Sequence, residues 1–178
     1  MTRKTWFRTL PALALIAGGL MLIPARAQSS SVVNLSVNVP TTGELTITAG
    51  SAITLTQTGD TFTQPWTSSS PTQVLFSYRA SKSSGNVTLN VQATNFVGSD
   101  ANVPPLSNLS IQATAGTISS GTLTTAAIPL ATSPTTLFSN GAGTHAAAQS
   151  FSVQYTLAAG DYAADTYTSK VTYTLAWL

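Results

Sequence analysis

The sequence has no cysteine, a single histidine and few charges, with charged residues making up 7% of its 178 positions. Without cysteine there are no disulfides and no thiolate metal ligands, so burial and backbone hydrogen bonds must hold the fold together. A catalytic triad or a histidine metal site would have to be built around His145, which has only small residues near it in the sequence. We therefore expect no catalytic residue, no metal site, no cofactor and no enzymatic activity.

The first 27 residues are typical of a cleaved secretion signal. Basic residues precede an apolar run over residues 10–23, and the small-x-small pattern Ala25-Arg26-Ala27 follows it. The run of about 14 residues is shorter than the roughly 20 that span a bilayer as a helix. The sequence therefore predicts a leader over 1–27, a secreted mature chain without a transmembrane anchor, and one domain over 28–178.

Removal of the leader reverses the sign of the net charge. The whole chain has a formal charge of +2, but residues 28–178 keep three basic against five acidic side chains, a formal charge of −2. Nucleic-acid binding relies on a basic surface, which the mature chain does not have. We therefore expect no nucleic-acid partner.

Apolar and polar residues alternate in many short segments, which is the pattern of strands with one buried face. The clearest segments are 74–78, 87–93, 109–113, 151–157 and 171–177. β-Branched residues are frequent, and the sequence pattern has no helical spacing. The sequence predicts an all-β fold, an antiparallel β-sandwich with Greek-key, immunoglobulin-like connections.

Two pairs of neighbouring segments are predicted to form hairpins. The first pair is 45–48 with 53–55, separated by Gly50, and the second is 151–157 with 171–177. The stretch between residues 57 and 72 is rich in Thr, Ser and Pro and is predicted to be a loop.

Three aromatic residues are candidate binding residues. Trp66 lies between Pro65 and Thr67 in the predicted loop, and Tyr162 and Tyr167 precede the last strand. An exposed ring offers a flat apolar face and a polar handle, which suits stacking on a sugar. For Trp66, packing within the protein is an equal alternative.

Segments 45–47, 85–96, 104–111 and 164–175 resemble the WxL-domain surface proteins. The two Trp-x-Leu motifs of that family fall on Val87-Thr88-Leu89 and Tyr173-Thr174-Leu175, so the tryptophan is replaced in both. The resemblance implies a secreted β-rich protein that is held noncovalently on a bacterial cell wall and has no catalytic activity.

Two functions are compatible with these observations. In the first, the chain is a structural or binding module on the cell surface, with a cell-wall polymer or another surface component as its partner. In the second, it is the subunit of an extracellular filament assembled by β-strand exchange. Val33, Leu35, Val37 and Val39 alternate near the mature N-terminus and form a candidate assembly strand, able to complete the sheet edge of a neighbour. Burial of these four side chains within their own domain would remove the main support for exchange.

Overall fold

The structure is a computed structural model that describes residues 36–57, 63–83, 85–100 and 102–177. Residues Asn38–Leu178 form one compact unit, which is the part described below. The predicted leader over 1–27 and two members of the candidate assembly strand, Val33 and Leu35, lie outside the described residues.

The described residues form two antiparallel sheets that pack face to face, so the predicted all-β sandwich is confirmed. One 3₁₀ turn at Leu106–Asn108 precedes a strand of the first sheet. That sheet contains β1 (Thr42–Ala49), β2 (Leu55–Gln57), β3 (Trp66–Ser68), β4 (Thr72–Arg79), β6 (Leu109–Ala115), β8 (Ile128–Pro129) and β10 (His145–Leu157). The second contains β5 (Val87–Ala93), β7 (Thr122–Leu123), β9 (Thr135–Asn140) and β11 (Val171–Trp177).

Strand β10 is the centre of the first sheet. Strands β4 and β3 follow each other along one of its sides, and β6 pairs with the other side. Strand β1 pairs with β4, and β2 pairs with β3. The second sheet has the order β11-β5-β9-β7. Neighbours in space are therefore seldom neighbours in sequence.

Both predicted hairpins are wrong. Strand β1 pairs with β4 and not with β2, while β10 and β11 lie in different sheets. Segments 45–48, 151–157 and 171–177 do lie in strands, because alternation reveals which residues share a strand face. Of segment 53–55 only Leu55 does, since β2 begins there. Alternation does not reveal the partner, and the 158–170 connection is long enough to cross from one sheet to the other.

The predicted strand at the mature N-terminus is not formed in its described part. Residues 36–41 lie outside any strand, and Val37 and Val39 are 72% and 54% exposed. A strand needs a partner for its backbone N–H and C=O groups. Pairing in the described chain begins at Thr42, which lies opposite Arg79.

Aromatic rings fill the middle of the core. Phe76 packs edge-on against Phe138 and Phe151 with ring centroids 4.9 and 6.0 Å apart, and all three side chains are almost fully buried. The core becomes thinner toward one edge of the sandwich. There the inward residues of β1 and β11 are only half-buried, and this edge contains the candidate site.

Candidate functional site

A groove of about 700 Å³ opens between the two sheets at the edge formed by β1 and β11. We call it the inter-sheet groove. Its walls combine apolar side chains with Ser, Thr and Asp side chains. One wall comes mainly from the first sheet, and the other from β11 and the 158–170 connection. The residues that matter most below are Ile47, Ile53, Leu55, Trp66, Val171 and Tyr173.

The groove is narrow at one end because of Gly43. A Cβ atom on this residue would lie 2.5 Å from the Trp177 ring and 2.8 Å from Leu175, so a glycine lets β1 come this close to β11. Toward the other end, Ile47 and Val171 line the open part of the groove. The space between the two strands therefore widens from the start of β1 toward its end.

The wall formed by β11 is also a sheet edge. Strand β11 pairs with β5 over all seven of its residues, and no described strand pairs with its other side. Its inward side chains, Val171, Tyr173, Leu175 and Trp177, are half-buried, in keeping with a groove beside them. A sheet edge whose inward apolar side chains line a groove is the arrangement that an added strand completes.

A pair of tyrosines forms a polar contact beside the groove. The hydroxyls of Tyr155 on β10 and Tyr173 on β11 are 2.8 Å apart, so one hydrogen bond links the two sheets. Burial, followed by the proximity of Tyr155, raises the pKa of Tyr173 far above its ordinary value. The Tyr173 hydroxyl of the folded protein therefore stays protonated at alkaline pH values at which an exposed tyrosine ionises.

The three aromatic residues selected from the sequence all line this groove. Trp66 and Tyr162 pack with ring centroids 5.4 Å apart and planes tilted by 45°. Trp66 begins β3 and is half-buried, so its prediction as an exposed loop residue is wrong. The Tyr162 hydroxyl accepts from Asn108 and donates to the Ala158 carbonyl, at 2.9 and 3.1 Å.

A carboxylate fastens the loops at the wide end of the groove. Asp165 accepts hydrogen bonds from Thr166 N at 2.7 Å, from Asp100 N at 3.0 Å and from Ser99 Oγ at 2.9 Å. These bonds, with that from Thr166 as the largest contribution, lower the pKa of Asp165 below 3.8. Nearby, the Tyr167 hydroxyl donates to the Ala163 carbonyl at 2.9 Å. Specific contacts therefore hold the rim in place.

His145 does not line the groove. It is the exposed first residue of β10, directly opposite Arg79 on β4, so its predicted place in a loop is wrong. Among the described residues, no three His, Cys, Asp or Glu side chains are grouped so that they could hold a metal ion.

Sequence reasoning did not identify Ile47, Ile53 or Val171 as groove residues. Alternation showed that such residues face inward, but the groove exists because two edge strands from different sheets face each other. That relationship depends on strand partners, which alternation does not encode. The available signal was the Thr-rich, half-polar sequence of β1, which is typical of an edge strand.

Comparison with protein-family models, with curated proteins and with solved structures finds no match. In the part of the chain that the structure describes, no helix is long and apolar enough to cross a membrane.

Proposed function

We propose that this protein is an exported, non-enzymatic cell-surface subunit that forms an extracellular filament by β-strand exchange. Segment 33–39 of one copy fills the inter-sheet groove of the next and pairs with the free edge of β11. The observation that carries the proposal is this edge, unpaired among the described residues and flanked by half-buried apolar side chains. It favours the assembly alternative over simple surface binding.

The length of the segment supports it as the occupant. Segment 33–39 has seven residues, the same number as β11. At about 3.3 Å per residue, an extended segment of this length covers the whole edge. Every residue of the segment can therefore lie opposite a residue of β11.

The pattern of the segment also fits the groove. Four apolar side chains at every second position point to one face of an extended strand, while Asn34, Ser36 and Asn38 point to the other. Docked beside β11, the apolar face would lie over the core and the polar face would meet solvent. Burying each apolar side chain contributes about 1.5 to 3 kcal/mol.

The described part of the segment, residues 36–39, is exposed and available for a neighbour. Val39 is 54% exposed and outside any strand, so it does not fill the groove of its own domain. Pro40 and Thr41 are the only residues between Val39 and the start of β1. A segment held by one domain and bound by the next gives a head-to-tail contact, which repeats into an open chain of subunits.

The test compares two double variants of the full chain. Leu35→Asp with Val37→Asp places charges on the face that enters the groove, whereas Asn34→Asp with Ser36→Asp adds the same charge to the opposite face. Secreted protein is run without boiling on a denaturing gel and imaged by electron microscopy. We expect ladders and filaments from the wild type and the second variant only. Monomers in all three samples, or ladders in all three, would contradict strand exchange.

The pair formed by Trp66 and Tyr162 favours a second candidate function, binding of a cell-wall glycan. Two aromatic faces at the wall of an open groove suit the apolar face of a sugar ring. Wall attachment is also what the WxL resemblance implies. The test is cosedimentation of the monomeric Leu35→Asp/Val37→Asp variant with purified cell walls. Binding that Trp66→Ala abolishes would favour glycan binding as a function. If the variant does not bind cell walls, filament assembly is the one proposed function that remains.

A further inference from the structure

The charged side chains of the described residues are concentrated toward the two ends of the sandwich. Arg79 ends β4 opposite both Thr42 and His145, where β1 and β10 begin. Lys82 follows in the next turn and lies against Gly143. We call Arg79 and Lys82 the basic pole. Glu44, two residues into β1 and opposite Ser77 on β4, is the acidic residue near it in the sheet.

The opposite end contains three of the acids. Asp165 is bonded to Ser99 and Asp100, and Asn102 Nδ2 donates to the Asp161 carbonyl at 2.8 Å, so these contacts join the two loops. We call Asp100, Asp161 and Asp165 the acidic pole. Lys170, immediately before β11, is the basic residue beside it. Excess positive charge thus lies at one end and excess negative charge at the other.

The groove runs between these poles. Trp177 of β11 lies against Gly43 at the basic end, and Val171, the first residue of β11, lies at the acidic end. The wide part of the groove is at the acidic end, since Asp165 and Val171 both line it. Strand β1 begins at the basic end, so the segment before it enters its own domain there.

We propose that successive copies meet with the basic pole of one against the acidic pole of the next. This inference rests on the proposed strand exchange. Only Pro40 and Thr41 separate the docked segment from the domain of its own copy, the donor. Strand β1 of the donor therefore starts within about 10 Å of the place where Val39 leaves the groove of the acceptor. An exit at the wide, acidic end brings opposite charges together, whereas an exit at the narrow end would oppose two basic poles.

The proposal fixes the direction of the inserted strand. With Val39 at the acidic end, segment 33–39 runs antiparallel to β11, so that Asn38 lies beside Thr172 and Asn34 beside Ala176. Attraction between the poles would act before docking, as steering that raises the rate of encounter. Such steering changes association rates by about 10-fold or more and weakens as salt increases.

Charge reversal tests the contact. In the full chain, Arg79→Glu with Lys82→Glu reverses the basic pole, and Asp100→Lys with Asp161→Lys reverses the acidic pole, leaving the loop-fastening Asp165 intact. We expect each variant alone to assemble about 10-fold more slowly than the wild type at low salt, with a smaller difference at high salt. An equal mixture of the two variants should recover the wild-type rate, because every contact in an alternating filament is again between opposite charges.

Wild-type rates in both variants at low salt would overturn the pole-to-pole contact while leaving strand exchange intact. A wild type that does not assemble would overturn the proposed function and this inference with it. If the charge-reversed variants fail to fold, disulfide trapping can instead report the direction of the inserted strand. Asn38→Cys with Thr172→Cys should then give intermolecular disulfides, and Asn38→Cys with Ala176→Cys should not. The opposite result would place two basic poles together and contradict the proposal.

Discussion

Tyr155 and Tyr173 join the two sheets through hydroxyl groups 2.8 Å apart, beside the groove that we assign to an incoming strand. This is a polar contact in a largely apolar setting. It links the central strand of the first sheet with the edge strand of the second, so it restrains the edge along which the groove opens. Loss of the contact should weaken the attachment of β11 more than the rest of the core.

Substitution of Tyr173 should change the response to alkaline pH. Burial raises the pKa of Tyr173 in the folded state. Its contribution to the free energy of unfolding is therefore fully present below the unfolded pKa of about 10, and it is lost as pH rises above that value. Tyr173→Phe should lower the free energy of unfolding by about 1 kcal/mol at neutral pH, through the lost hydrogen bond. It should also reduce the fall in stability that the wild type shows above a pH of about 10.

Tyr155→Phe is the matched control in denaturant titrations over the same pH range. It removes the same hydrogen bond but keeps the Tyr173 hydroxyl, which ionises at alkaline pH in the unfolded chain more readily than in the folded one. The loss of stability at alkaline pH should therefore persist. Equal pH profiles for the two variants would contradict the assignment to Tyr173.

Asp165 should make the rim of the groove sensitive to acid. Hydrogen bonds from Thr166, Asp100 and Ser99 lower its pKa from the ordinary value of 3.8. The stability that the ionised carboxylate gives the rim is therefore present above pH 3.8, and it is lost as pH falls through the lower pKa of the folded state. Asp165→Asn should speed hydrogen exchange in residues 98–100 at neutral pH. Asp161→Asn is the control, because Asp161 contributes its backbone carbonyl to the contact with Asn102. Unchanged exchange in Asp165→Asn would show that other contacts hold the loop.

Gly121 should not tolerate a side chain. Its φ angle is +94°, and a Cβ atom there would clash with the Phe138 ring in the core. Gly121→Ala should therefore cost about 1 to 3 kcal/mol of stability, from overpacking and backbone strain together. A Cβ atom at Gly141 would meet nothing within 4 Å, so Gly141→Ala should be close to neutral. Thermal unfolding compares the two variants, and equal melting temperatures would contradict the packing around Phe138.

The strands of this fold could largely be predicted from the sequence, while their partners could not. Strands β5 and β11 were recognised because alternation exposes the inward face of each, yet nothing local indicated that Leu89 and Leu175 lie opposite each other. Short strands were missed for another reason. The two-residue strand Ile128–Pro129 is too brief to show a period, and its pairing depends on β6.

The candidate site was predicted in part. Trp66, Tyr162 and Tyr167 were selected as aromatic residues near turns, and the fold brings all three to one groove. The other apolar residues of the groove could not be found in this way, because the groove arises where β1 and β11 approach from different sheets. Only the three-dimensional arrangement shows that β11 is an edge strand, whose seven residues match the length of segment 33–39.

Substitution of the acceptor wall should stop growth without preventing donation. Ile47→Asp places a charge in the groove while leaving segment 33–39 unchanged, so this variant should donate its segment but accept none. Added to wild-type protein, it should shorten the ladder on a non-boiled gel by ending chains. Thr46→Asp carries the same charge on the exposed face of β1 and should leave the ladder unchanged. Equal shortening by both variants would count against a role for the groove.

Disulfide trapping tests strand exchange most directly, because the chain has no cysteine of its own. Ser36 and Thr174 lie at the centres of segment 33–39 and β11, so they should be neighbours whichever way the docked strand runs. Oxidised Ser36→Cys/Thr174→Cys should give a ladder of covalent multimers that reductant collapses to monomer, whereas Ser36→Cys/Gln154→Cys, with its second cysteine on the exposed face of β10, should not. Monomers alone from the first variant, or a disulfide within one chain, would contradict the exchange of strands between copies.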